Sequence, residues 1–309
     1  MRTIANLSDH AAPLLLDGGM GQELAARGVK CTEGLWSARA LLDDPELVYE
    51  VHRDFVAAGA DILTTNTYAA TRRRLDAIDD DAFERVNRTA CELARRAADE
   101  ADRPVLVAGS LPPIHGSYRP DEVRPYDELE PLYREHAALL AEHVDVLLCE
   151  TMSTADEARA AAAGAARTGL PVWVAWTVAD DGSGRLRSGE SLAEAVAALD
   201  GLHVEALLVN CSMPESIDAA MAPLAAAARR PFGAYANGFE AIDEDTKVAD
   251  GDDVPERRAD LGPQRYAEHA VAWARAGAAI VGGCCEVGPE HIAAVAAALG
   301  TEAPGITRR

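Results

Sequence analysis

The stretch DVLLCETMSTADEARAAAAGAARTGLPVWVAWT, residues 145–177, contains the pattern that decides the fold. Two short apolar runs, 145–151 and 171–177, flank an alanine-rich segment at 155–168 with the spacing of an amphipathic helix. Continuous apolar runs separated by helices are typical of parallel strands that are covered on both faces. The stretch therefore predicts a strand, a helix and a second strand parallel to the first.

The same alternation continues along the chain in both directions. Eight apolar runs are predicted as strands: 13–19, 61–67, 104–110, 145–151, 171–177, 206–212, 231–237 and 278–284. Helical patterns are predicted at 45–58, 83–101, 127–142, 155–168, 190–200, 214–228, 263–276 and 289–299. Eight strand–helix units favour an α/β fold of the (β/α)8 TIM-barrel type over a doubly wound open sheet, which usually has fewer strands.

The chain has 309 residues, and no linker rich in proline, serine and glycine divides it. We therefore expect one barrel domain over residues 1–309, with short flexible tails at about 1–10 and 301–309. Two long segments, 109–127 and 238–263, follow the predicted third and seventh strands. The second segment is acidic, and two interpretations of it remain, a solvated loop or a lid.

Charge and hydropathy narrow the range of partners. The formal net charge of −22 argues against nucleic acids and anionic membranes, because phosphate groups would be repelled. No apolar stretch has the length of a membrane span, and the first ten residues lack the apolar core of a signal peptide. We expect a cytoplasmic protein that acts on small molecules, whereas the oligomeric state is not determined by the sequence. In a reducing compartment, clustered cysteines indicate a metal site or catalysis before disulfides.

The C-terminal ends of barrel strands are where such enzymes build their sites. Cys211 ends the sixth predicted strand, and Cys284 and Cys285 end the eighth, two strands away around the ring. Three converging thiolates suit Zn²⁺, and three protein ligands leave the fourth position open for a substrate. We expect Gly282 and Gly283 to let the backbone turn so that both neighbouring sulfurs face one ion. Two other interpretations remain, namely small buried residues and a redox-active vicinal disulfide. The other polar strand-end residues are Asp17, Asn66, Ser110, Glu150, Thr177 and Asn237.

A zinc ion with three thiolate ligands carries a net charge of about −1. Such an ion is a poor electrophile toward water, but it holds a further thiolate and lowers the pKa of the incoming thiol. This chemistry indicates alkyl transfer to a thiol rather than hydrolysis.

The sequence DGGMG at 17–21 follows the first strand and predicts a concavity of backbone N–H groups that binds a small anion. Neither a phosphate-loop lysine nor a GxGxxG spacing is present, so a carboxylate fits better than a phosphate. Asp17 and Glu150 are acids at two strand ends and can hold an ammonium group. Together these features describe a thiol-containing amino acid as the ligand, although an Asp–Gly pair at a strand end is also a common turn.

Several motifs resemble those of the homocysteine S-methyltransferases, zinc-dependent barrels that methylate homocysteine to methionine. The likeness covers about residues 12–299, and its most specific motifs are LLLDGGMGQELAARG, DVLLCETMSTADEA, LLVNCS and AGAAIVGGCCEVGPEHI. The resemblance implies that Cys211, Cys284 and Cys285 bind zinc. It also implies that Asp17 and Glu150 hold the substrate ammonium group, and that the backbone amides of Met20 and Gly21 bind its carboxylate.

Members of that family that use S-methylmethionine commonly carry a GPYGA…DGSEY segment and a YPN motif. This chain has GSLPPIHGSYRPD and AYANGF at those places. We expect a sulfonium donor, S-methylmethionine or S-adenosylmethionine, because its leaving group is neutral. Betaine and a separate corrinoid partner are the alternative donors. Trp36, Tyr68 and Tyr118 are candidates for contacting a cationic donor, and His115 for a hydrogen bond to either substrate.

Two further functions compete with methyl transfer. The first is a non-catalytic barrel that binds zinc and thiols. The second is another barrel enzyme, such as an aldolase that forms a Schiff base, which would need a lysine at a strand end. The two lysines, Lys30 and Lys247, fall elsewhere, and this argues against the aldolase.

Overall fold

The computed structural model describes residues 7, 12–31, 34–242 and 255–302. Most of the two tails predicted at 1–10 and 301–309 lies outside the described residues. The same is true of residues 243–254, the middle of the acidic segment for which a loop and a lid were considered.

All eight predicted strands are present, and they form one parallel sheet. The strands are β1 Leu14–Leu15, β2 Ile62–Thr64, β3 Leu106–Leu111, β4 Val146–Met152, β5 Val172–Trp176, β6 Ala206–Asn210, β7 Phe232–Ala236 and β8 Ile280–Gly283. Their order is β1-β8-β7-β6-β5-β4-β3-β2, so every strand lies beside its neighbours in the chain except where β1 meets β8. This order is that of a (β/α)8 barrel, and the predicted fold is confirmed.

The sheet closes between its first and second strands through a few backbone contacts. Leu16 forms a parallel bridge with Ile62. The N–H of Asp17 donates to the carbonyl of Ile62 at 3.0 Å, and the N–H of Asp61 donates to the carbonyl of Leu15 at 2.7 Å. Closure removes the open edges that a sheet would otherwise expose.

The helices cover the outside of the barrel. They are α1 Met20–Ala26, α2 Ala38–Asp43, α3 Pro45–Ala58, α4 Arg72–Leu75, α5 Ala82–Asp99, α6 Tyr126–Leu140, α7 Ala155–Ala166, α8 Leu192–Ala197, α9 Pro214–Ala227, α10 Pro263–Arg275 and α11 Pro289–Glu302. The eight predicted helices correspond to α3 and α5–α11. The short helices α1, α2 and α4 are additions that the sequence patterns do not predict.

Local sequence signals mark where several helices begin and end. Asp44 caps α3 by accepting a hydrogen bond from the N–H of Leu47 at 3.3 Å, and Pro45 occupies the first turn. Gly59 ends the helix in the left-handed conformation at φ 106°. A capping box between Ser191 and Glu194 begins α8.

Alternation along the strands places the site residues. Val146 and Leu148 of β4 belong to the apolar cluster inside the barrel, whereas Leu147 and Cys149 pack toward the helices. A period of two then puts Glu150 on the inner side, at the C-terminal end of the strand. By the same rule, Asn210 lies on the inner side of the barrel together with Ala206 and Leu208 of β6. Ser110 lies on the inner side together with Ala108 of β3. The packed barrel interior therefore ends in a layer of polar side chains.

Candidate active site

Three cysteine sulfurs converge at the C-terminal ends of β6 and β8. Cys211 follows β6, and Cys284 and Cys285 follow β8. The Cys211 sulfur lies 2.8 Å from that of Cys284 and 3.8 Å from that of Cys285, and the sulfurs of Cys284 and Cys285 are 4.0 Å apart. Within the described ranges, no other three or more His, Cys, Asp or Glu side chains place their ligand atoms so close together. The structure thus brings together the three cysteines that the sequence groups.

The donor set and its spacing fit zinc. Thiolates bind Zn²⁺ at about 2.3 Å, and tetrahedral coordination then separates two sulfurs by roughly 3.8 Å. Two of the three sulfur–sulfur distances are close to this value, and the distance from Cys211 to Cys284 is about 1 Å shorter. All three thiols are free of disulfides. The cysteines therefore form a cluster that could hold one metal ion through three sulfur ligands.

The glycines before the cysteine pair serve a different purpose from the predicted one. Neither Gly282 nor Gly283 has a positive φ, so neither reverses the backbone. A Cβ atom at Gly282 would lie 2.4 Å from the Cβ of Leu16, and one at Gly283 would lie 2.2 Å from a methyl carbon of Val287. Their lack of a side chain lets β8 approach the end of β1 closely. The sulfurs converge because the chain turns after β8, with the N–H of Val287 donating to the carbonyl of Cys284 at 3.2 Å.

Hydrogen bonds favour a thiolate at Cys211. The hydroxyl of Tyr118 lies 2.9 Å from its sulfur. Burial alone raises the pKa of the Cys211 thiol, but hydrogen bonds from Cys284, Cys285 and Tyr118 more than offset burial and hold the pKa well below its ordinary value. Hydrogen bonds with Cys211 raise the pKa of Cys284 and of Cys285, and the side chain of Gln22 also hydrogen-bonds Cys285. The cluster therefore concentrates negative charge on one sulfur, which suits a divalent cation.

Glu150 is a buried acid whose two oxygens both accept hydrogen bonds. The hydroxyl of Ser110 donates to Oε1 in a short contact, and the phenol of Tyr235 donates to Oε2 at 3.0 Å. Burial raises the pKa of Glu150 to about 7, although these two hydrogen bonds lower it. The donors fix the position of the carboxyl group, which lines the cavity that contains the cysteines.

Asp17 is a second buried acid in the same cavity. Its Oδ2 accepts a hydrogen bond from the backbone N–H of Thr64 at 2.8 Å. Burial raises the pKa of Asp17 to about 8, the hydrogen bonds from Thr64 lower it, and the nearby charge of Glu150 raises it further. Within the described residues, no positive group is paired with either acid, and a bound ammonium group would supply such a partner.

The residues after Asp17 differ from the predicted concavity in their conformation. Gly18 and Gly19 have no positive φ, and Gly19 donates its N–H to the carbonyl of Val287 at 2.9 Å. Met20 and Gly21 instead form the first turn of α1, where the N–H groups have no acceptor within the helix. Both residues line the cavity. The backbone donors that the sequence assigns to a carboxylate are therefore the first N–H groups of a short helix.

Asn210 supports the strained backbone beside Glu150. Thr151 has φ 62°, which is uncommon for a β-branched residue, and the register between β4 and β5 shifts at this point. The Oδ1 of Asn210 accepts the N–H of Thr151 at 3.0 Å, and its Nδ2 donates to the Thr151 hydroxyl at 2.9 Å. Cys211, the next residue along from Asn210, also has a positive φ of 48°. Strain of this kind is typical of functional sites and persists only where neighbouring groups hold it.

Aromatic side chains line the same cavity as the cysteines and the acids. Trp36, Tyr68 and Tyr118, the residues predicted to contact a cationic donor, all line it, together with Phe239. His115 is not among the lining residues. The guanidinium of Arg187 lies 4.8 Å from the centre of the Tyr118 ring and occupies one face of that ring. Trp36 and Tyr68 are therefore better placed than Tyr118 to offer a ring face to a ligand.

Several residues of the site carry no signal in the sequence. The candidate residues are contacted from distant parts of the chain by four residues, namely Tyr235, Thr64, Gln22 and Arg187. Their pairing depends on which strand ends meet in the closed barrel. The remaining cysteines, Cys31, Cys91 and Cys149, are buried and lie outside the cavity.

Over the part of the chain that the structure describes, no helix is both long and apolar enough to cross a membrane.

Comparison with known proteins agrees with the geometry of the site. A profile of the homocysteine S-methyltransferase family matches residues 14–299. The homocysteine S-methyltransferase of Escherichia coli (strain K12) is 35% identical over 310 residues, which cover 94% of this chain and 96% of the relative. The selenocysteine Se-methyltransferase of Brassica oleracea var. italica is 28% identical over 317 residues, which cover 91% of this chain and 87% of the relative.

Among solved structures, the homocysteine methyltransferase MmuM from Escherichia coli in its metallated form is similar over nearly its whole length. The TM-score is 0.79 at 32% sequence identity, and the match covers 94% of this chain and 98% of that one.

Proposed function

The chain belongs to the homocysteine S-methyltransferase family, and on this premise we propose that it transfers a methyl group from a sulfonium donor to the thiol of homocysteine, giving methionine. The proposed metal is Zn²⁺, held by Cys211, Cys284 and Cys285. The proposed donor is S-methylmethionine or S-adenosylmethionine. One observation carries the proposal, namely that three cysteine sulfurs and two buried acids line the same cavity.

The polar groups of the cavity match the parts of an amino acid. We assign the ammonium group of homocysteine to Asp17 and Glu150, whose burial raises both pKa values. Its carboxylate is assigned to the N–H groups of Met20 and Gly21. The Brassica relative is named for a selenocysteine acceptor, which carries the same ammonium and carboxylate groups. This similarity supports a site that recognises the amino-acid end and presents the chalcogen to the metal.

When bound, Zn²⁺ lowers the pKa of the acceptor thiol and holds its thiolate. The similar Escherichia coli structure is a metallated form, which supports a bound metal in this chain as well. Tyr118 and Gln22 hydrogen-bond the sulfurs of Cys211 and Cys285 and so stabilise their negative charge. Outer contacts of this kind orient metal ligands and tune their donor strength.

Methyl transfer itself needs little acid or base catalysis. The homocysteine sulfur forms a bond to the methyl carbon while the bond from that carbon to the donor sulfonium breaks. The electron pair of the broken bond stays on the donor sulfur, which leaves as a neutral thioether. Alignment of the two sulfurs is therefore the main task of the protein. Trp36 and Tyr68 are proposed to contact the sulfonium cation through their ring faces.

We place the reaction in the cytoplasm, because a cluster of three free thiols needs a reducing compartment to stay available for metal. Its partners are then small molecules, homocysteine and the methyl donor.

The test is mass-spectrometric detection of methionine formed from homocysteine, with a donor that carries an isotopically labelled methyl group. S-methylmethionine, S-adenosylmethionine, betaine and a methylated corrinoid protein are offered in turn. We expect label in the homocysteine-derived methionine with a sulfonium donor only. Cys211→Ala should abolish it, and Cys91→Ala, a change at a buried cysteine outside the cavity, should not.

Turnover with betaine or the corrinoid protein, and none with either sulfonium compound, would contradict the proposed donor class. Binding of zinc and homocysteine without turnover on any donor would instead identify a non-catalytic thiol-binding barrel.

A further inference from the structure

A buried ion pair lies in the segment between β5 and α8. The side chains of Arg187 and Asp180 are 7% and 2% exposed, and their charged groups are 2.8 Å apart. Arg187 also donates from Nε to the Thr177 hydroxyl at 3.0 Å and from Nη1 to the carbonyl of Ile242 at 2.8 Å. A buried charge pair is tolerated when its remaining donors and acceptors are hydrogen-bonded, and this one meets that condition.

Asp180 extends the connection to two more backbone groups. Its Oδ1 accepts the N–H of Met213 at 2.9 Å, and its Oδ2 accepts the N–H of Ile242 at 3.1 Å. Met213 lies two residues beyond Cys211, and Ile242 lies in the segment after β7. The pair therefore joins the segments that follow β5, β6 and β7, all at the end of the barrel that carries the cysteines.

A fourth segment is reached through an aromatic ring. The guanidinium of Arg187 lies 4.8 Å from the centre of the Tyr118 ring, and Tyr118 belongs to the segment after β3. Tyr118 has φ 62°, an uncommon conformation that tertiary contacts must hold. On the other side, its hydroxyl lies 2.9 Å from the sulfur of Cys211. A cysteine that binds a metal as a thiolate can only accept hydrogen bonds, so with the metal bound the phenol would be the donor in this contact.

We infer that Arg187, held by Asp180, is a positioning residue that fixes the Tyr118 hydroxyl against the Cys211 sulfur and thereby strengthens the hold of the cysteine cluster on its metal. The inference rests on the proposed zinc site. The guanidinium determines the position of the ring, and the ring determines that of the hydroxyl. The hydroxyl in turn orients the sulfur, as outer-sphere hydrogen bonds do in other metal sites.

The test is the Zn²⁺ affinity of the full chain, measured by competition with a chelator. Loss of an outer contact typically weakens metal binding about ten- to hundredfold, and we expect such a loss for Tyr118→Phe and for Arg187→Met. Because both changes remove one and the same hydrogen bond, the double variant should be no weaker than the weaker single variant. Additive losses, or unchanged affinity in Tyr118→Phe, would overturn the inference.

Two further variants separate positioning from general damage. Arg185→Met changes an exposed arginine of the same segment, whose Nη1 donates to the Gly189 carbonyl at 2.8 Å, and should leave zinc affinity unchanged. Arg187→Lys keeps the positive charge but cannot form the hydrogen bonds to Asp180, Thr177 and Ile242 at the same time. It should therefore lose Zn²⁺ affinity as Arg187→Met does. Recovery of wild-type affinity in Arg187→Lys would show that charge alone matters and would contradict a positioning role.

Thermal unfolding is recorded for every variant to check that it remains folded. Tyr118→Phe keeps the ring beneath Arg187 and should remain folded. If the wild-type chain itself binds no Zn²⁺, the proposed metal site is wrong. If the wild type binds Zn²⁺ and the variants bind it equally well, only the positioning role is wrong.

Discussion

The side chain of Asn210 binds Thr151 through two hydrogen bonds and holds it at φ 62°. Asn210 precedes Cys211, a proposed metal ligand, and Thr151 follows Glu150, a proposed contact of the ammonium group. One buried amide therefore connects the metal side of the cavity to its amino-acid side.

Replacing this amide should reduce both stability and acceptor binding. Asn210→Leu leaves the N–H of Thr151 buried without its acceptor, which costs roughly 1–3 kcal/mol. The Thr151 hydroxyl loses one hydrogen bond but keeps that with Tyr68, which adds roughly 1 kcal/mol. We expect urea denaturation to show a free energy of unfolding lower by about 2–4 kcal/mol. The KM for homocysteine should also rise, because Glu150 loses the support of the backbone that follows it.

Asn87→Leu is the matched control. Asn87 is buried in α5, outside the cavity, where its Nδ2 donates to the carbonyls of Ala70 and Phe83 at 2.8 Å. It should lose comparable stability and keep the KM for homocysteine. If the two variants changed KM equally, the link between Asn210 and Glu150 would have to be abandoned.

Glu150→Gln should weaken homocysteine binding while zinc content stays intact. A hydrogen bond to a charged group contributes roughly 1.5–3 kcal/mol, which corresponds to about ten- to hundredfold in affinity. The analogue 4-mercaptobutyrate, which lacks the ammonium group, should bind poorly to the native protein and be less affected. Isothermal titration with both thiols measures the difference.

Glu157→Gln provides the comparison for this change. Burial raises the pKa of Glu157 to about 7 as well, but its carboxylate accepts the N–H of Ser153 at the start of α7 and does not line the cavity. Its substitution should leave homocysteine affinity unchanged. Equal losses for both thiols in Glu150→Gln would assign Glu150 a structural role instead.

The raised pKa of Glu150 makes its contribution to stability depend on pH. Its folded-state pKa of about 7 exceeds the ordinary carboxyl value near 4.5, so between these values the folded chain binds more protons than the unfolded chain. The contribution of Glu150 to the free energy of unfolding therefore falls as pH rises, and it is lost as the pH passes through about 7. Relative to Glu150→Gln, the wild-type chain should lose stability from about pH 5 to pH 8.

Urea midpoints of both proteins across this pH range measure the effect. The difference between them removes the contributions of titrating groups that Glu150 does not affect, and it keeps that of Asp17, whose pKa the charge of Glu150 raises. A difference that stays constant with pH would show that Glu150 is ionised normally in the folded chain.

Close packing of the ends of β1 and β8 should not tolerate a methyl group. A Cβ atom at Gly18 would lie 2.0 Å from the carbonyl oxygen of Val287. We expect Gly18→Ala to destabilise the protein by about 1–3 kcal/mol and to weaken Zn²⁺ binding, because the turn that carries Cys284 must move. Gly300→Ala, in α11, meets no atom within 4 Å and should be neutral or stabilising by up to about 1 kcal/mol. Thermal unfolding and metal analysis compare the two variants, and equal behaviour would contradict this role of Gly18.

The barrel could be predicted because its strands are continuous apolar runs and its long helices have clear start signals. Asp44 and Pro45 at the start of α3 are an example. The short helix α1 was not predicted because its N-cap residue, Gly19, has no side chain that could cap the helix, and glycine in a sequence indicates a turn. What looks like a flexible anion-binding loop in the sequence is instead the first turn of that helix.

Only those site residues that lie at the ends of predicted strands could be predicted from the sequence. Cys211 and Cys284 are 73 residues apart, yet their strands are separated by only β7 in the ring. Tyr118 reaches Cys211 from 93 residues away, through a segment without regular strand or helix pattern around it. Its position depends on Arg187, and a buried arginine in a polar segment cannot be distinguished from an exposed one by sequence pattern.

The central claim is that Cys211, Cys284 and Cys285 bind a zinc ion that takes the homocysteine thiolate as its fourth ligand. X-ray absorption at the zinc edge, on the purified chain with and without homocysteine, measures the number of sulfur neighbours directly. We expect three sulfurs at about 2.3 Å in the free protein and four with homocysteine bound. A count that stays the same on adding homocysteine, or a zinc ion without three sulfur ligands in the free protein, would contradict the account.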